Sequence, residues 1–263
     1  MTDCTRTSSD RTSSEQQFNA QADKYASSEV HRFGASLPVL IEYAAPQSED
    51  VALDVATGTG NTALELAPHV AQVVGLDMAA KMMAHAQKRA AEEGRRNSIF
   101  VRGSAEDMPF PDGAFTLVTS RHAPHHFRDA AKFLAEAFRV LKPGGRLVIA
   151  DQISPNAEIK PWLDEFHTTR DPSHFTQRTV QEWRELTGAA GFTWVKDTLV
   201  PYRMDFDWWT QQSGCTPETI QKLRGQMTAL SEAHQQDILT EFGEQGELVA
   251  HTDFMMVARL ERR

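Results

Sequence analysis

Val51-Ala-Leu-Asp-Val-Ala-Thr-Gly-Thr-Gly60 is the most informative segment of this 263-residue chain. Its first five residues are a short apolar run interrupted only by Asp54, the pattern of a buried strand. Gly58 and Gly60 break the run, and a helix is expected from there to about Ala67, ended by Pro68. Glycine at such a turn opens backbone conformations barred to other residues and lets a ligand lie against the main chain. The helix that follows offers unpaired N–H groups and the positive end of its dipole. With Ala63 the loop also fits the Gly-x-Gly-x-x-Gly/Ala pattern of dinucleotide sites, so the glycines alone do not separate ligand classes.

Further strand-helix alternations follow. Residues 70–76, 98–102, 114–119 and 146–151 read as strands, the last entered through Lys142-Pro-Gly-Gly145. Between them lie helices with Ala79, Met82, Met83, Ala86 and Ala90, and with Leu134, Ala137, Phe138 and Leu141, at helical spacing. Strands alternating with helices imply a parallel sheet buried on both faces. A sixth strand is expected over 192–202, after an amphipathic helix at 179–190, and a seventh over 248–260. Residues 1–15, rich in Ser and Thr, read as a disordered tail, and 16–263 as one domain. Within it, 16–45 form a helical cap with a break near Gly34 and Pro38, and 46–151 the ligand-binding core. Residues 152–180 and 203–245 are expected as lid segments, the first without clean periodicity, while 181–202 and 246–263 complete the sheet.

Composition narrows the function. A formal net charge of −9 disfavours nucleic acid, whose phosphates need a basic footprint. No apolar run approaches the roughly 20 residues that span a bilayer, and no signal peptide is evident. Cys4 and Cys215 are too few and too far apart for a disulfide framework or a metal set. A cytoplasmic monomer or homodimer with a small-molecule partner, no membrane contact and no metal is the expectation.

Three polar strand ends sharpen it. Asp54 ends the first strand, where a cationic amino group could use it. Asp77 ends the second, about twenty residues beyond the loop, placed for two ribose hydroxyls. Gly103-Ser-Ala-Glu-Asp-Met-Pro-Phe110 follows the third, placed to frame an adenine edge. Each acid alone reads equally as a solvated carboxylate. In register they point to a nucleoside bearing a positive charge.

The runs Leu53-Asp-Val-Ala-Thr-Gly-Thr-Gly60, Val74-Gly-Leu-Asp-Met78, Glu106-Asp-Met-Pro-Phe-Pro-Asp-Gly-Ala-Phe115 and Arg139-Val-Leu-Lys-Pro-Gly-Gly145 resemble the ubiquinone/menaquinone-biosynthesis-type class I methyltransferases. The resemblance covers roughly residues 22–151 and the C-terminal third. It implies an α/β, Rossmann-like sheet of seven mostly parallel strands, the last antiparallel, with helices on both faces and a helical lid. It implies S-adenosylmethionine as cofactor and S-adenosylhomocysteine as product. Asp54, Gly58, Thr59 and Gly60 would then surround the methionine part, Asp77 and Met78 the ribose and adenine, and Ser104 and Ala105 the adenine edge. Many relatives carry Asp where Ser104 stands, which weakens that contact or moves it to Glu106. Tyr25 resembles a position that closes over the cofactor, and Arg121 and His122 would be cofactor-side. The family methylates carbon, oxygen and nitrogen. Arg121-His-Ala-Pro-His-His-Phe127 and Arg170-Asp-Pro-Ser-His174, followed by Trp183, resemble a narrower bacterial subgroup.

Methyl transfer is an in-line displacement that depends mainly on holding the reactants aligned, so a general base is needed only where the acceptor must lose a proton. His125 and His126, just after the fourth strand, are candidate bases, with loop structure as the alternative. Asp151, ending the fifth, could orient an acceptor. His167, Arg170, Asp171 and His174 form a lid cluster read as hydrogen-bonding or acceptor-contacting rather than metal-binding. Phe206, Trp208 and Trp209 either line an apolar acceptor pocket or simply pack. Rival readings are an NAD(P)-binding oxidoreductase and a cofactor binder of this fold, such as a cyclase, that transfers no methyl group.

Overall fold

The computed structural model describes residues 14–27, 32 and 34–263. Most of the expected tail lies outside the described residues. Strand β1 (Val51–Val55) pairs in parallel with β2 (Gln72–Asp77) on one side and β4 (Phe115–Arg121) on the other. β3 (Ser98–Arg102) extends the sheet beyond β2, and β5 (Leu141–Ile153) beyond β4, both in parallel. β8 (Leu248–Arg262) then runs antiparallel to β5, and β6 (Phe192–Asp205) closes the edge antiparallel to β8. The expected seven strands are present with the last one antiparallel. A two-residue β7 (Glu241–Phe242) is added alongside β8.

Alternate residues of each strand serve opposite faces, as the pleat requires. Leu53, Val55, Val74, Leu76, Leu147 and Ile149 share one core, into which Phe133, Leu134 and Ala137 of α5 (Ala130–Val140) and Trp183 of α7 (Val180–Ala189) pack. Ala52, Val73, Leu117, Val148 and Ala150 face the other core, covered by Leu40 and Tyr43 of α2 (Ser36–Ala44) and Ala63 and Leu66 of α3 (Asn61–Leu66). Near-continuous apolar runs in β1, β2 and β4 follow from burial on both faces.

Beyond this slab, β6 and β8 continue as a long hairpin. Tyr202, Met204 and Leu248 on it join a third apolar cluster with α6 (Lys160–Arg170), α8 (Phe206–Gln212) and α9 (Pro217–Thr228). The short α10 (Glu232–Asp237) follows. The lid is therefore packed rather than irregular.

Several expectations need correction. Ser14 and Glu15, placed in the tail, open α1 (Ser14–Ser27), where the Glu15 carboxylate accepts from Arg102 at 2.6 Å. Pro38 does not break its helix; it lies in the first turn of α2, where its missing N–H is not needed. Likewise α6 tolerates Pro161 in its first turn, and Ile159, Leu163 and Phe166 give this segment a buried face that the expected lid lacked. Residues 70–71 belong to a turn before β2, with the Ala71 N–H donating to Asp50 O at 3.0 Å.

Candidate active site

The strand order reverses between β1 and β4, and a cavity of about 350 Å³ opens at the carboxyl ends there, the place where open α/β sheets bind ligands. Asp54 is buried beneath it. Its carboxylate accepts from Thr57 Oγ1 at 2.7 Å and Thr119 Oγ1 at 2.8 Å. Burial pushes this carboxyl up to about 6, against the hydrogen bonds from Thr57 and Thr119 and the charge of Arg121. Gly58 turns with a φ of +54°, and nothing stands within 4 Å of where a Cβ would project. Its N–H donates to Asp77 Oδ2 at 2.7 Å, while the Ala79 N–H donates to Oδ1 at the same distance. Burial raises the Asp77 carboxyl, and these backbone donors oppose the rise. Asp77 thus ties the glycine turn to the next helix, α4 (Ala80–Glu92), a duty the ribose assignment did not foresee.

The second glycine does different work. Gly60 has a φ of +80°, and a Cβ there would come within 2.9 Å of Ala86 and 3.3 Å of the Phe100 ring. It lets α3 lie against α4 and β3, between Thr59 and Asn61 of the cavity wall. Thr59 does line the cavity, with its carbonyl accepting from Arg89 at 3.1 Å.

Met78, Ser104, Ala105 and Glu106 line the same wall. Ser104 Oγ accepts from the Glu106 N–H at 3.1 Å, and Glu106 Oε1 from the Asp129 N–H at 3.0 Å. Glu106 therefore anchors the start of α5 with one oxygen. Arg121 and His122 lie at the back, the guanidinium 3.3 Å from both Thr62 Oγ1 and Ser36 Oγ. Tyr25 and Phe18 close the front from α1, and burial pushes the Tyr25 phenol up to about 12. Pro172 to Phe175 of the lid supply the remaining side.

Behind Tyr25, His122, His126 and His174 lies a second chamber of about 50 Å³, reached also by His125, His167, Arg170, Asp171 and Gln152. His125 Nδ1 stands 2.6 Å from Asp151 Oδ1, with both groups buried. Burial pushes Asp151 up to about 8 and, with the nearby His167, pushes His125 down to about 3. Near neutrality the dyad is therefore net neutral, because a separated charge is costly in this setting. His126 faces both cavities, bonded at Nδ1 to the Ser173 carbonyl at 3.1 Å, and burial lowers it to about 4. Asp151 lines neither cavity and reaches the chamber through its contact with His125.

The expected lid cluster of His167, Arg170, Asp171 and His174 comes together around the small chamber, and it reaches further than the sequence reading placed it. His167 turns toward His251 and Asp253 of β8, two residues the sequence reading missed. His251 and Asp253 stand two apart near the start of β8, hence on one face, which was the available signal. Burial would raise Asp253, but the His167 and His251 rings hold its carboxyl well below the usual range. Asp171 instead accepts from Ser173 Oγ at 2.7 Å, and Arg170 donates to the Trp209 carbonyl at 3.0 Å. Phe206 and Trp209 are packing residues: Trp209 stacks on Phe166 with centroids 5.0 Å apart, and neither lines a cavity.

Residues 53–149 match the model of the methyltransferase domain family. The chain is 34% identical over 209 residues to the methyltransferase YcgJ of Bacillus subtilis, covering 78% of this chain and 81% of that one. It is 46% identical over 101 residues to a demethylmenaquinone methyltransferase of Thermus thermophilus, spanning 38% of this chain and 46% of that protein. The crystal structure of YcgJ superposes with a TM-score of 0.82 at 27% identity, covering 87% of this chain and 98% of the other. No helix among the described residues is long and apolar enough to cross a membrane.

Proposed function

The chain belongs to the class I methyltransferase family, and from that premise we propose that it moves a methyl group from S-adenosylmethionine to a small apolar or aromatic acceptor. The observation that carries the reading is one continuous cavity that joins the glycine turn to the histidines behind β4. Its residues fit the cofactor: open space beside Gly58, a buried carboxylate at Asp54 for an ammonium group, and Asp77 with lone pairs to spare beside the turn. Bound S-adenosylmethionine would supply a methyl group on a sulfonium that needs little further activation. Phe18, Met82, Phe127 and Phe175 give the wall an apolar character suited to a ring or chain, and their bulk keeps water from the reacting atoms. Where the acceptor must lose a proton, His125 is the candidate to take it, held in orientation by Asp151, with His126 at the boundary of the two cavities. The acidic balance of the chain supports a small-molecule acceptor over nucleic acid.

Calorimetry with S-adenosylhomocysteine, followed by transfer of labelled methyl to a panel of phenols, quinols and enols, tests the proposal. Saturable binding and label in an extracted acceptor are expected. NADH binding without S-adenosylhomocysteine binding, or label that never leaves the cofactor across the panel, overturns it.

A further inference from the structure

We propose that His167, His251 and Asp253 form a binding site for one divalent transition-metal ion, set between α6 and β8 beside the small chamber. His167 Nε2 lies 3.4 Å from Asp253 Oδ1, and His251 Nε2 lies 3.8 Å from the same oxygen. One ligand atom from each of the three falls within 4.8 Å of the others. Ligands held about 2.0–2.2 Å from a common ion at tetrahedral angles stand ~3.4 Å apart, so little movement closes the site.

The polar atoms are left open toward that point. Neither ring nitrogen of His251 has a hydrogen-bond partner, although the residue is 0% exposed, and His167 Nε2, on a residue 2% exposed, has only its 3.4 Å approach to Asp253 Oδ1. Buried groups of this kind are normally satisfied, and each orphan needs an explanation. An ion accepting both imidazoles answers for them together. Asp253 Oδ2 accepts from Gln152 Nε2 at 3.2 Å, which leaves Oδ1 turned to the two rings. Such outer contacts orient metal ligands. The Trp209 and Phe166 rings wall the outer side, with centroids 4.7 and 5.6 Å from His251.

Two imidazoles and one carboxylate suit zinc, iron(II) or manganese(II), and leave coordination positions for water or an exogenous ligand. Calcium and magnesium, which prefer oxygen donors, do not match. His167 also lines the small chamber, so the site borders it. Arg170 and Asp171 border that chamber with opposite charges. The site shares no residue with the glycine turn, so it stands or falls independently of the methyl-transfer reading.

The test is metal content of the full chain without a histidine tag, stripped with chelator and reloaded with Zn²⁺ alone, then dialysed. One equivalent per chain is expected in the wild type and in His234→Ala, a half-exposed imidazole. That equivalent should be lost in Asp253→Asn and His167→Gln, with circular dichroism unchanged. Cobalt(II) in place of zinc should give visible absorption bands of a low-coordinate nitrogen-oxygen site. Wild-type protein without stoichiometric zinc overturns the assignment, as does a full equivalent retained in both variants. Should Asp253→Asn fail to fold, His167→Gln and the wild-type cobalt spectrum carry the same decision.

Discussion

The two cavities that meet at Tyr25 and His126 are built in opposite ways. The large cleft draws its polar wall from the tips of successive strands, and each acid there is satisfied by donors close by in chain or sheet. Asp77 receives two backbone N–H groups from the segments on either side of it, and Asp54 two hydroxyls, one from the turn after β1 and one from β4. The histidine chamber gathers four distant segments, around 18–25, 122–126, 152 and 167–174. Around it, buried atoms such as Asp151 Oδ2 and both His251 nitrogens stand without hydrogen-bond partners. An unpaired buried polar group costs about 1–3 kcal/mol. The region around the chamber therefore carries a cost that the cleft, organised by its own backbone, avoids.

The largest effect expected from that contrast is on turnover. Asp151→Asn and His125→Ala should lower it by roughly 100- to 10,000-fold if the dyad is the base, measured with whichever acceptor takes the label. Affinity for S-adenosylhomocysteine should stay unchanged. The wild-type rate should rise with pH toward a plateau above about 8, where Asp151 gives up its proton and His125 is left free to accept one. That limb should vanish in Asp151→Asn. Lost cofactor affinity in these variants would break the contrast, making the chamber part of the cleft's scaffold.

Next comes Asp77→Ala, expected to weaken S-adenosylhomocysteine binding by roughly 100-fold through loss of two charge-assisted bonds to the turn, with far-UV dichroism preserved. Unchanged affinity would show that the turn holds its shape without the carboxylate. The glycines then sharpen the picture within the cleft. Gly60→Ala should cost about 2 kcal/mol in urea unfolding, from strain and overpacking against Ala86. Gly58→Ala, with open space beside it, should cost about 1 kcal/mol from strain alone and act chiefly on cofactor affinity. Equal stability losses would erase the distinction. The smallest effect is a titration. Asp54 is ionised above about 6 and neutral below it, so cofactor affinity should fall by up to about tenfold per pH unit below that point. An affinity flat from pH 7 to 5 would remove the ammonium role from Asp54.

The same contrast explains what could be read from sequence. β1, the glycine turn and the aspartates at positions 54 and 77 were legible because the chemistry and the local backbone lie in one short window. Lining of the cleft by Met78, Ser104, Ala105, Glu106, Arg121 and His122 follows from the same strand-end logic. The packing duty of Gly60 was not legible, because a glycine needed for helix packing and one needed for a ligand look alike in sequence. Only the position of Ala86 and Phe100 tells them apart. His251 and Asp253 escaped because their partner, His167, lies on a helix far away in the chain, and β8 reads as an ordinary apolar strand. Trp209 was read as a possible pocket wall, yet its stacking on Phe166 places it in the lid's own core.

The antiparallel insertion of β8 between β5 and β6 has a consequence for how the molecule comes into being. A chain emerging from the ribosome exposes β5 and β6 well before the strand that joins them, because β8 follows every other described element. Until then β5 presents an open edge, the kind of template on which newly made chains pair wrongly. The cleft, drawn from the earlier strands, can form during this interval, but the cluster beside the chamber waits for His251 and Asp253. Ligand capture by a ribosome-tethered chain arrested before residue 248 would therefore report an early half of the enzyme, already shaped while its other half is still being made.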